Sequence, residues 1–297
     1  MEKEQVNRRG IGGKFVNIAF STTLEIEQGR RKTVRIKTRI HYQEKGQGSC
    51  LLLLHDAGHS GAVYRKLLAA LSETYRVIVP DLPGHGASGC PDMNYTVQDF
   101  SLAIEALLKA LGISKCTIVA CGQSAAYGIE YCFYNQKQVS HMVLINPGAL
   151  RDLDFAQSRR LAGFWGKWLI RRWQNPAYMR KQLEKAFFDK TALQEQDVRA
   201  FCRPYSREEV QFCVRLAVAN YDEGKVAEQL KALHIPILYL QGGEDIFSEQ
   251  RNTEAFIQST EQPYEMQIRN CGACLQLEKG QNTAMGILRF LQDIEGK

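Results

Sequence analysis

Short apolar runs alternate with longer amphipathic segments along most of this chain. Apolar residues recur at helical spacing in Thr96–Leu111, and shorter segments between the apolar runs show the same spacing. Six apolar runs have the length of buried strands: Cys50–His55, Tyr75–Pro80, Cys116–Cys121, His141–Asn146, Ile235–Gln241 and Tyr264–Ile268. The alternation of such strands with helices predicts an α/β fold whose sheet is mostly parallel and flanked by helices.

The N-terminal part of the chain follows a different pattern. Thr33–Tyr42 alternates between apolar and polar residues and ends at a glycine-containing turn, so it predicts an antiparallel strand that leads into the parallel set. Phe15–Glu25 is a candidate for a further edge strand. We therefore expect residues 1–32 to form an N-terminal extension and residues 33–150 to form the first part of the core.

The rhythm of strand and helix breaks between residues 151 and 231. This stretch has helical patterns throughout, with a glycine or proline at intervals. A helical insertion after one strand of a parallel sheet lies over the carboxyl ends of the strands, where such sheets bind ligands. The sequence thus predicts a helical cap at 151–231 and the second part of the core at 232–297.

A nucleophile motif follows the predicted strand Cys116–Cys121. The residues Gly122-Gln123-Ser124-Ala125-Ala126 are close to the G-x-S-x-G elbow, in which a tight strand-to-helix turn exposes a serine hydroxyl above the sheet. Ser124 is the candidate nucleophile, and small residues flank it as the strained turn requires. The backbone N–H groups of Gln123 and Ala125 are candidates to stabilise an oxyanion.

Three further loops each follow a predicted strand, and with the elbow they resemble the α/β-hydrolase superfamily. Residues 55–59 look like the oxyanion loop of that family, and residues 81–88 look like its D-x-x-G-x-G-x-S loop. Residues 241–245 resemble the turn that carries the triad acid, here Asp245. The resemblance implies a capped serine hydrolase of esters or other acyl compounds, with an oxyanion and substrate-binding site that includes His55, Asp56 and Ala57.

Three positions depart from the pattern of the family. Asp56 stands where the oxyanion loop usually has glycine, and its carboxylate would disfavour a developing negative charge unless it points away. Ala126 replaces the second glycine of the elbow. Most importantly, the final loop has Gly272-Ala273 where the family has glycine and the catalytic histidine, so the position of the general base holds alanine.

Loss of the base has a large chemical consequence, because a serine hydroxyl is a poor nucleophile until a neighbouring base takes its proton. Removing the histidine from a serine protease lowers turnover by about 10⁶. Of the other histidines, His141 and His234 begin predicted strands, and His55 and His85 match loop positions. His59 is the remaining candidate for a replacement base, since its loop should lie near Ser124.

Charge and aromatic residues are concentrated in the predicted cap. The chain of 297 residues has a net charge of +6, and residues 156–183 contain seven Lys or Arg, no acid and all three tryptophans. Such a helix could lie on an anionic membrane surface. The sequence favours an ordinary lid in which tryptophans cover a pocket and arginines face solvent, with Trp165 and Trp168 contacting an apolar or acyl ligand.

Other classes of protein receive less support. The charged start of the chain has no apolar signal segment, and the nine cysteines indicate a reducing, cytoplasmic location. Cys271 and Cys274 form a C-x-x-C without a second pair, which is typical of two packing thiols rather than of a zinc site. No phosphate loop, metal cluster or nicotinamide motif is evident, so we expect no cofactor and no nucleic-acid partner.

Three functions remain open from the sequence. The first is weak or atypical hydrolysis by Ser124 and Asp245 with an unorthodox base. The second is a ligand-binding pseudoenzyme that keeps the pocket without turnover. The third is a lyase, cyclase or isomerase that uses Asp56 or His59 for acid–base chemistry. A native histidine deliberately replaced at Ala273 is a further interpretation, although Asp56 and Ala126 point to drift rather than to one edit.

Overall fold

We describe a computed structural model of the chain, which covers residues 12–26, 30–148, 163, 165–247 and 252–296. Residues 1–11 of the predicted extension and residues 151–162 of the predicted cap lie outside the described residues. Arg159 and Arg160 of the basic stretch are among them. Among the described residues, no helix is long and apolar enough to cross a membrane.

Eight strands form one sheet in the order β1-β2-β4-β3-β5-β6-β7-β8. The strands from β3 to β8 are mutually parallel, whereas β2 pairs antiparallel with both β1 and β4. This confirms the predicted mostly parallel α/β sheet. The bounds are β1 Lys14–Ile26, β2 Arg30–Lys45, β3 Cys50–Leu54, β4 Arg76–Pro80, β5 Cys116–Cys121, β6 Val139–Ile145, β7 Ile237–Gly242 and β8 Pro263–Ile268.

Helices cover both faces of the sheet. Alternate residues of β3 belong to different core clusters, with Leu52 and Leu54 on one face and Leu51 and Leu53 on the other. The α-helices are α1 Arg65–Leu71, α2 Val97–Ala110, α3 Ser124–Tyr134, α4 Gly166–Arg171, α5 Pro176–Leu183, α6 Glu195–Cys202, α7 Glu208–Ala219, α8 Val226–Lys231, α9 Thr253–Gln258, α10 Leu275–Glu278 and α11 Gly280–Glu295.

The expected edge strand at Phe15–Glu25 lies within β1. Residues 14–26 form β1 and residues 30–32 begin β2, and the two strands pair in register from Lys14 with Tyr42 to Ile26 with Arg30. The even-numbered residues Ile18 and Phe20 are buried in the core that β1 shares with α2. This part of the chain therefore belongs to the sheet, because its alternating apolar side chains pack on a helix of the core.

Helices α4 to α8 lie in the chain between β6 and β7. Their inward side chains, such as Ile170 and Val198, are fully buried with residues of β3 and β5 in one apolar core. Tyr205, just after α6, donates a hydrogen bond to the carbonyl oxygen of Gly58 in the loop after β3. These helices thus pack against the loops at the carboxyl ends of the strands, although the exact limits 151–231 of a cap stay a prediction.

Candidate active site

The loops that follow β5, β6 and β8 meet at one edge of the sheet. The N–H of Gly122 donates to Ile145 O at 3.1 Å, and the N–H of Gly148 donates to Gly122 O at 3.2 Å. The Asn146 side chain donates to the carbonyl oxygen of Ala273 at 2.9 Å. The elbow, the end of β6 and the loop that contains Ala273 are therefore joined by hydrogen bonds.

The tight turn of the elbow is centred on Gly122 rather than on Ser124. Gly122 has φ 56°, in the left-handed region, whereas Ser124 is the first residue of α3. The nucleophile of an elbow occupies the strained residue between strand and helix. In this chain that residue is a glycine, which adopts a positive φ without steric cost.

Ser124 points into the core instead of standing above the sheet. The residue is 0% exposed, and its Oγ lies 2.8 Å from the carbonyl oxygens of Leu54 and Cys121 and accepts the N–H of Cys121 at 3.0 Å. Its hydroxyl thus links the ends of β3 and β5. The expectation of an exposed serine hydroxyl is corrected, because the motif was placed two residues too far along the chain.

Replacing Ser124 by alanine should affect stability and not chemistry. We expect Ser124→Ala to lower the free energy of unfolding by about 1–2 kcal/mol, since a buried hydrogen-bonded hydroxyl is lost. Ser72→Ala, at a surface serine that bonds only Ala69 O, should change it by less than about 0.5 kcal/mol. Urea denaturation measures both. A fluorophosphonate adduct on native Ser124 would contradict this assignment.

The Asp56 carboxylate occupies the place of an oxyanion. Its Oδ1 accepts two backbone N–H groups, from Ala57 and from Gln123, each at 2.8 Å. An oxyanion hole in this architecture consists of the N–H after the nucleophile and an N–H from the loop after β3. If Gly122 is matched to the nucleophile position of that pattern, the two corresponding donors are Gln123 and Ala57, and both donate to the Asp56 carboxylate.

Asp56 also fills the space of a nucleophile side chain. A Cβ placed on Gly122 would overlap the Asp56 carboxylate. The glycine and the aspartate are therefore coupled, since no side chain fits at 122 while Asp56 keeps this position. Ala125, which was expected to provide an oxyanion donor, instead gives its N–H to Gly122 O at 3.2 Å.

The acid and base loops keep their framework. The carboxylate of Glu244 accepts the N–H of Cys271 at 2.9 Å, and the N–H of Glu244 donates to Cys271 O at 3.1 Å. Asp245 is 6% exposed and accepts the N–H of Phe247 at 2.9 Å. Ala273 is partly exposed, and its N–H donates to Ala186 O at 2.8 Å. The loop that contains Ala273 is thus well anchored. The side chain at this position, where the family pattern has the base, is a methyl group.

Three buried histidines lie around the loop after β3. Burial is the main cause that lowers the pKa of His55 to about 3 and the pKa values of His59 and His85 to about 4. His55 is tied down, since its Nε2 accepts the N–H of Leu82 at 2.9 Å and its Nδ1 lies 2.8 Å from Asp56 O. His59 packs against Phe201, with ring centroids 4.8 Å apart, whereas the Ser124 hydroxyl bonds Leu54 and Cys121.

Within the part of the chain that the structure describes, four polar atoms near Asp56 are buried without a hydrogen-bond partner. Other tyrosines close to Asp56 have partners, since Tyr64 donates to Leu54 O at 2.8 Å and Tyr221 donates to Glu223 at 2.7 Å. Burial and, after it, the Asp56 charge raise the pKa of Tyr127. The unpartnered atoms are His59 Nδ1, His85 Nε2, Gln123 Oε1 and the Tyr127 hydroxyl.

The tryptophans of the helical segment divide into two groups. Trp173 is partly buried and packs on Tyr205 with ring centroids 5.0 Å apart, beside Gly58. Trp165 is 69% exposed and Trp168 is 59% exposed. The expectation that Trp165 and Trp168 contact a ligand is therefore corrected, because α4 turns Ile170 inward and these two side chains outward.

The sequence contained a signal for this arrangement. The five residues Ala120-Cys121-Gly122-Gln123-Ser124 also fit a small-x-nucleophile-x-small pattern, with glycine at the nucleophile position. The predicted strand ends at Cys121, so the turn should follow at once, and glycine is the residue that a positive φ favours. Asn146 and Tyr127 were missed entirely, since neither stands in a motif.

Comparisons with known proteins agree with the fold. A family model described as the alpha/beta hydrolase family matches residues 51–281. A meta-cleavage product hydrolase from Pseudomonas fluorescens has a TM-score of 0.71 at 21% identity, over 86% of this chain and 95% of that one. At this identity the likeness shows a shared fold.

Two curated relatives match parts of the chain. The 2-hydroxy-6-oxo-6-phenylhexa-2,4-dienoate hydrolase of Comamonas testosteroni is 27% identical over 164 residues, 53% of this chain and 56% of that protein. The cis-3-alkyl-4-alkyloxetan-2-one decarboxylase of Shewanella oneidensis is 31% identical over 115 residues, 37% of this chain and 36% of that protein. The matches thus span only about a third to a little over half of these relatives.

Proposed function

Since the chain belongs to the alpha/beta hydrolase family, we propose that it binds a small molecule in the family's cleft without hydrolysing it by the serine mechanism. The observation that carries this proposal is the Asp56 carboxylate, which accepts the N–H groups of Ala57 and Gln123 where an oxyanion would form. A second negative charge at that point would meet direct Coulomb repulsion.

Three separate parts of the hydrolytic machinery support the same conclusion. Gly122 offers no nucleophile, Ala273 offers no base, and Asp56 blocks the oxyanion hole. Loss of the nucleophile or of the base in a serine protease already removes about 10⁶ of turnover. The residual rate that such variants keep depends on an oxyanion hole and on binding, and this chain has filled the hole.

Retention of a binding cleft is supported by the unpartnered polar atoms. Leaving a buried polar group without a hydrogen bond costs about 1–3 kcal/mol. His59, His85, Gln123 and Tyr127 each have such an atom, and a fold that needed only stability would replace them by apolar side chains. A ligand that bonds them recovers this free energy on binding.

The protonation states favour a ligand with hydrogen-bond donors. His85 Nδ1 lies 2.9 Å from Pro83 O and so carries the proton, which leaves Nε2 as an acceptor at neutral pH, where a pKa of about 4 keeps the ring uncharged. Gln123 Oε1 is also an acceptor. We therefore propose a small hydroxylated or amine-bearing molecule, with Phe201 and Trp173 as apolar walls, rather than an acyl ester as the substrate.

The test uses Tyr127→Phe, with Tyr131→Phe as a matched control. Without ligand, Tyr127→Phe should stabilise the protein by about 1 kcal/mol, because an unpartnered buried hydroxyl is removed. Tyr131→Phe should destabilise it, since that hydroxyl bonds Gln138 at 2.9 Å. A thermal-shift screen of polyols, sugars and amines then measures binding to the native chain. Stabilisation by a compound that is lost in Tyr127→Phe and kept in the control supports the proposal.

Two results would contradict the proposal. One is a native chain that hydrolyses p-nitrophenyl esters or reacts with a fluorophosphonate at one of its serines, Ser124 included. The other is a Tyr127→Phe chain that is less stable than the native protein without ligand, which would mean that the hydroxyl is already bonded.

A second candidate is non-hydrolytic acid–base catalysis by Asp56. One oxygen of its carboxylate is held by two N–H groups, while the other lies where a Cβ on Gly122 would stand. A carboxylate oriented in this way can remove a proton from a bound molecule. Asp56→Asn keeps an oxygen for the two N–H groups, so it should retain ligand binding and abolish turnover if Asp56 is a base. If the native chain and Asp56→Asn bind the ligand equally and neither turns it over, binding without catalysis is the function.

A further inference from the structure

The outward face of α4 combines exposed indoles with cations. Trp165, Trp168 and Arg172 are spaced three and four residues apart, so their side chains lie on the same side of α4 and its two flanking residues. Trp165 is 69% exposed, Trp168 is 59% exposed, and Lys167 and Arg171 are exposed beside them. The opposite side of α4 holds the fully buried Ile170.

This surface has no acidic residue of its own. Residues 165–183 contain five Lys or Arg and no Asp or Glu. Within the described ranges, Lys167, Arg171 and Arg172 form no ion pair, and the Arg172 guanidinium lies over the rings of Trp168 at 5.4 Å and Tyr178 at 4.4 Å. The next carboxylates along the chain, Glu184 and Glu195, pair with Arg180, and Glu208 and Glu209 on α7 line a cavity that Lys167 also borders.

We propose that this face, defined by Trp165, Lys167, Trp168, Arg171 and Arg172, docks on an anionic lipid membrane. Indole rings favour the boundary between head groups and acyl chains, and basic residues beside them are attracted to anionic head groups. Membrane docking by a short helix of this composition places the cleft of the protein near the bilayer surface.

The size of the face favours a membrane over a protein partner. Two tryptophan side chains bury at most about 500 Å², whereas a stable protein interface needs about 800 Å² from each partner. An interfacial anchor needs only a few inserted aromatic side chains and the charges around them. A six-residue helix is therefore large enough for a membrane anchor and too small for a stable protein interface.

The experiment measures vesicle binding by the full chain. We use sedimentation with equimolar phosphatidylcholine and phosphatidylglycerol vesicles, with pure phosphatidylcholine vesicles as the neutral comparison. We expect binding to the anionic vesicles, a blue shift of tryptophan emission and quenching by brominated lipid. Arg171→Glu/Arg172→Glu should weaken binding about 30-fold or more, because each cation contributes about fivefold near such a surface.

Two further variants locate the contact. Trp165→Ala/Trp168→Ala should weaken binding at least about tenfold, because large apolar side chains no longer insert. Arg35→Glu/Lys37→Glu makes the same charge change on the exposed side of β2 and should leave binding close to native once net charge is allowed for. Circular dichroism confirms that each surface variant folds.

Three outcomes would overturn the inference. The first is no binding to anionic vesicles. The second is binding that survives the α4 variants or is lost equally in the β2 variant. The third is a native dimer that Trp165→Ala/Trp168→Ala converts to a monomer, since the face would then join two copies of the chain.

Discussion

The triple variant Asp56→Gly/Gly122→Ser/Ala273→His is expected to react with a fluorophosphonate and to hydrolyse p-nitrophenyl esters at least about a thousandfold faster than the native chain. The first change empties the oxyanion hole, since the N–H groups of Ala57 and Gln123 lose their internal acceptor. The second puts a hydroxyl at the residue with φ 56°. The third restores a base on the loop anchored to Glu244.

The single variant Gly122→Ser is the informative control. We expect it to be inactive and several kcal/mol less stable than the native chain, because its Cβ would overlap the Asp56 carboxylate. Asp56→Gly added to Gly122→Ser should recover most of that loss. Chemical denaturation measures the coupling in a double-mutant cycle. Additive effects of the two changes would show that Asp56 does not occupy the nucleophile's space.

Stability should fall steeply between about pH 6.5 and about pH 4. Burial lowers the pKa of His55 to about 3 and the pKa values of His59 and His85 to about 4. A histidine with a lowered folded-state pKa contributes stability above the unfolded pKa of about 6.5, and that contribution is lost as pH falls, because only the unfolded chain takes up the proton. At about pH 5 each of these three histidines lowers the free energy of unfolding by about 2 kcal/mol, and together they lower it by about 6 kcal/mol.

One histidine acts in the opposite direction. Burial by itself would lower the pKa of His41. The hydrogen bond from His41 to Asp81 at 2.8 Å outweighs this effect and leaves the pKa of His41 above its usual value. The stabilisation from this pair is present below the unfolded pKa and is lost as pH rises through the folded pKa. It therefore offsets only part of the acid-side loss from the other three.

Urea denaturation at about pH 7.5 and about pH 5 measures the difference. His59→Gln should reduce the loss by about 2 kcal/mol, since one proton is no longer taken up on unfolding. His234→Gln, at a side chain that is 74% exposed and bonds Glu261, should leave the loss unchanged. A native protein equally stable at both values would mean that these rings are protonated in the folded state.

The order of the motifs and the arrangement of the parallel strands could be predicted from the sequence. Apolar runs such as Leu51–Leu54 are buried on both faces, and the elbow and acid loops each follow such a run, whereas the loop of Ala273 follows the largely exposed edge strand β8. Strand β1 and the early part of β2 were underestimated. Their pairing connects residues as far apart as Lys14 and Tyr42, and no local pattern reports a pairing of that range.

The candidate site could be predicted in its location and not in its atoms. Ala273 stays the predicted position of the general base, on a loop in which the N–H of Gly272 donates to the Glu278 carboxylate. Ser124 attracted the nucleophile assignment because a motif read by residue type does not state which residue adopts a positive φ. Which residue adopts a positive φ depends on where β5 ends and α3 begins. Those two ends are fixed by the hydrogen bonds of the sheet and of the helix.

The sequence by itself determined the fold family, the order of the loops and the absence of histidine at position 273, because these follow from residue identity and from the period of apolar positions. Only the tertiary structure decided that Ser124 is an internal hydrogen-bonding group and that the Asp56 carboxylate accepts the N–H groups of Ala57 and Gln123. Asp56 and Gln123 are 67 positions apart in the chain, and the 2.8 Å hydrogen bond between them exists only because β3 and β5 are neighbours in the sheet.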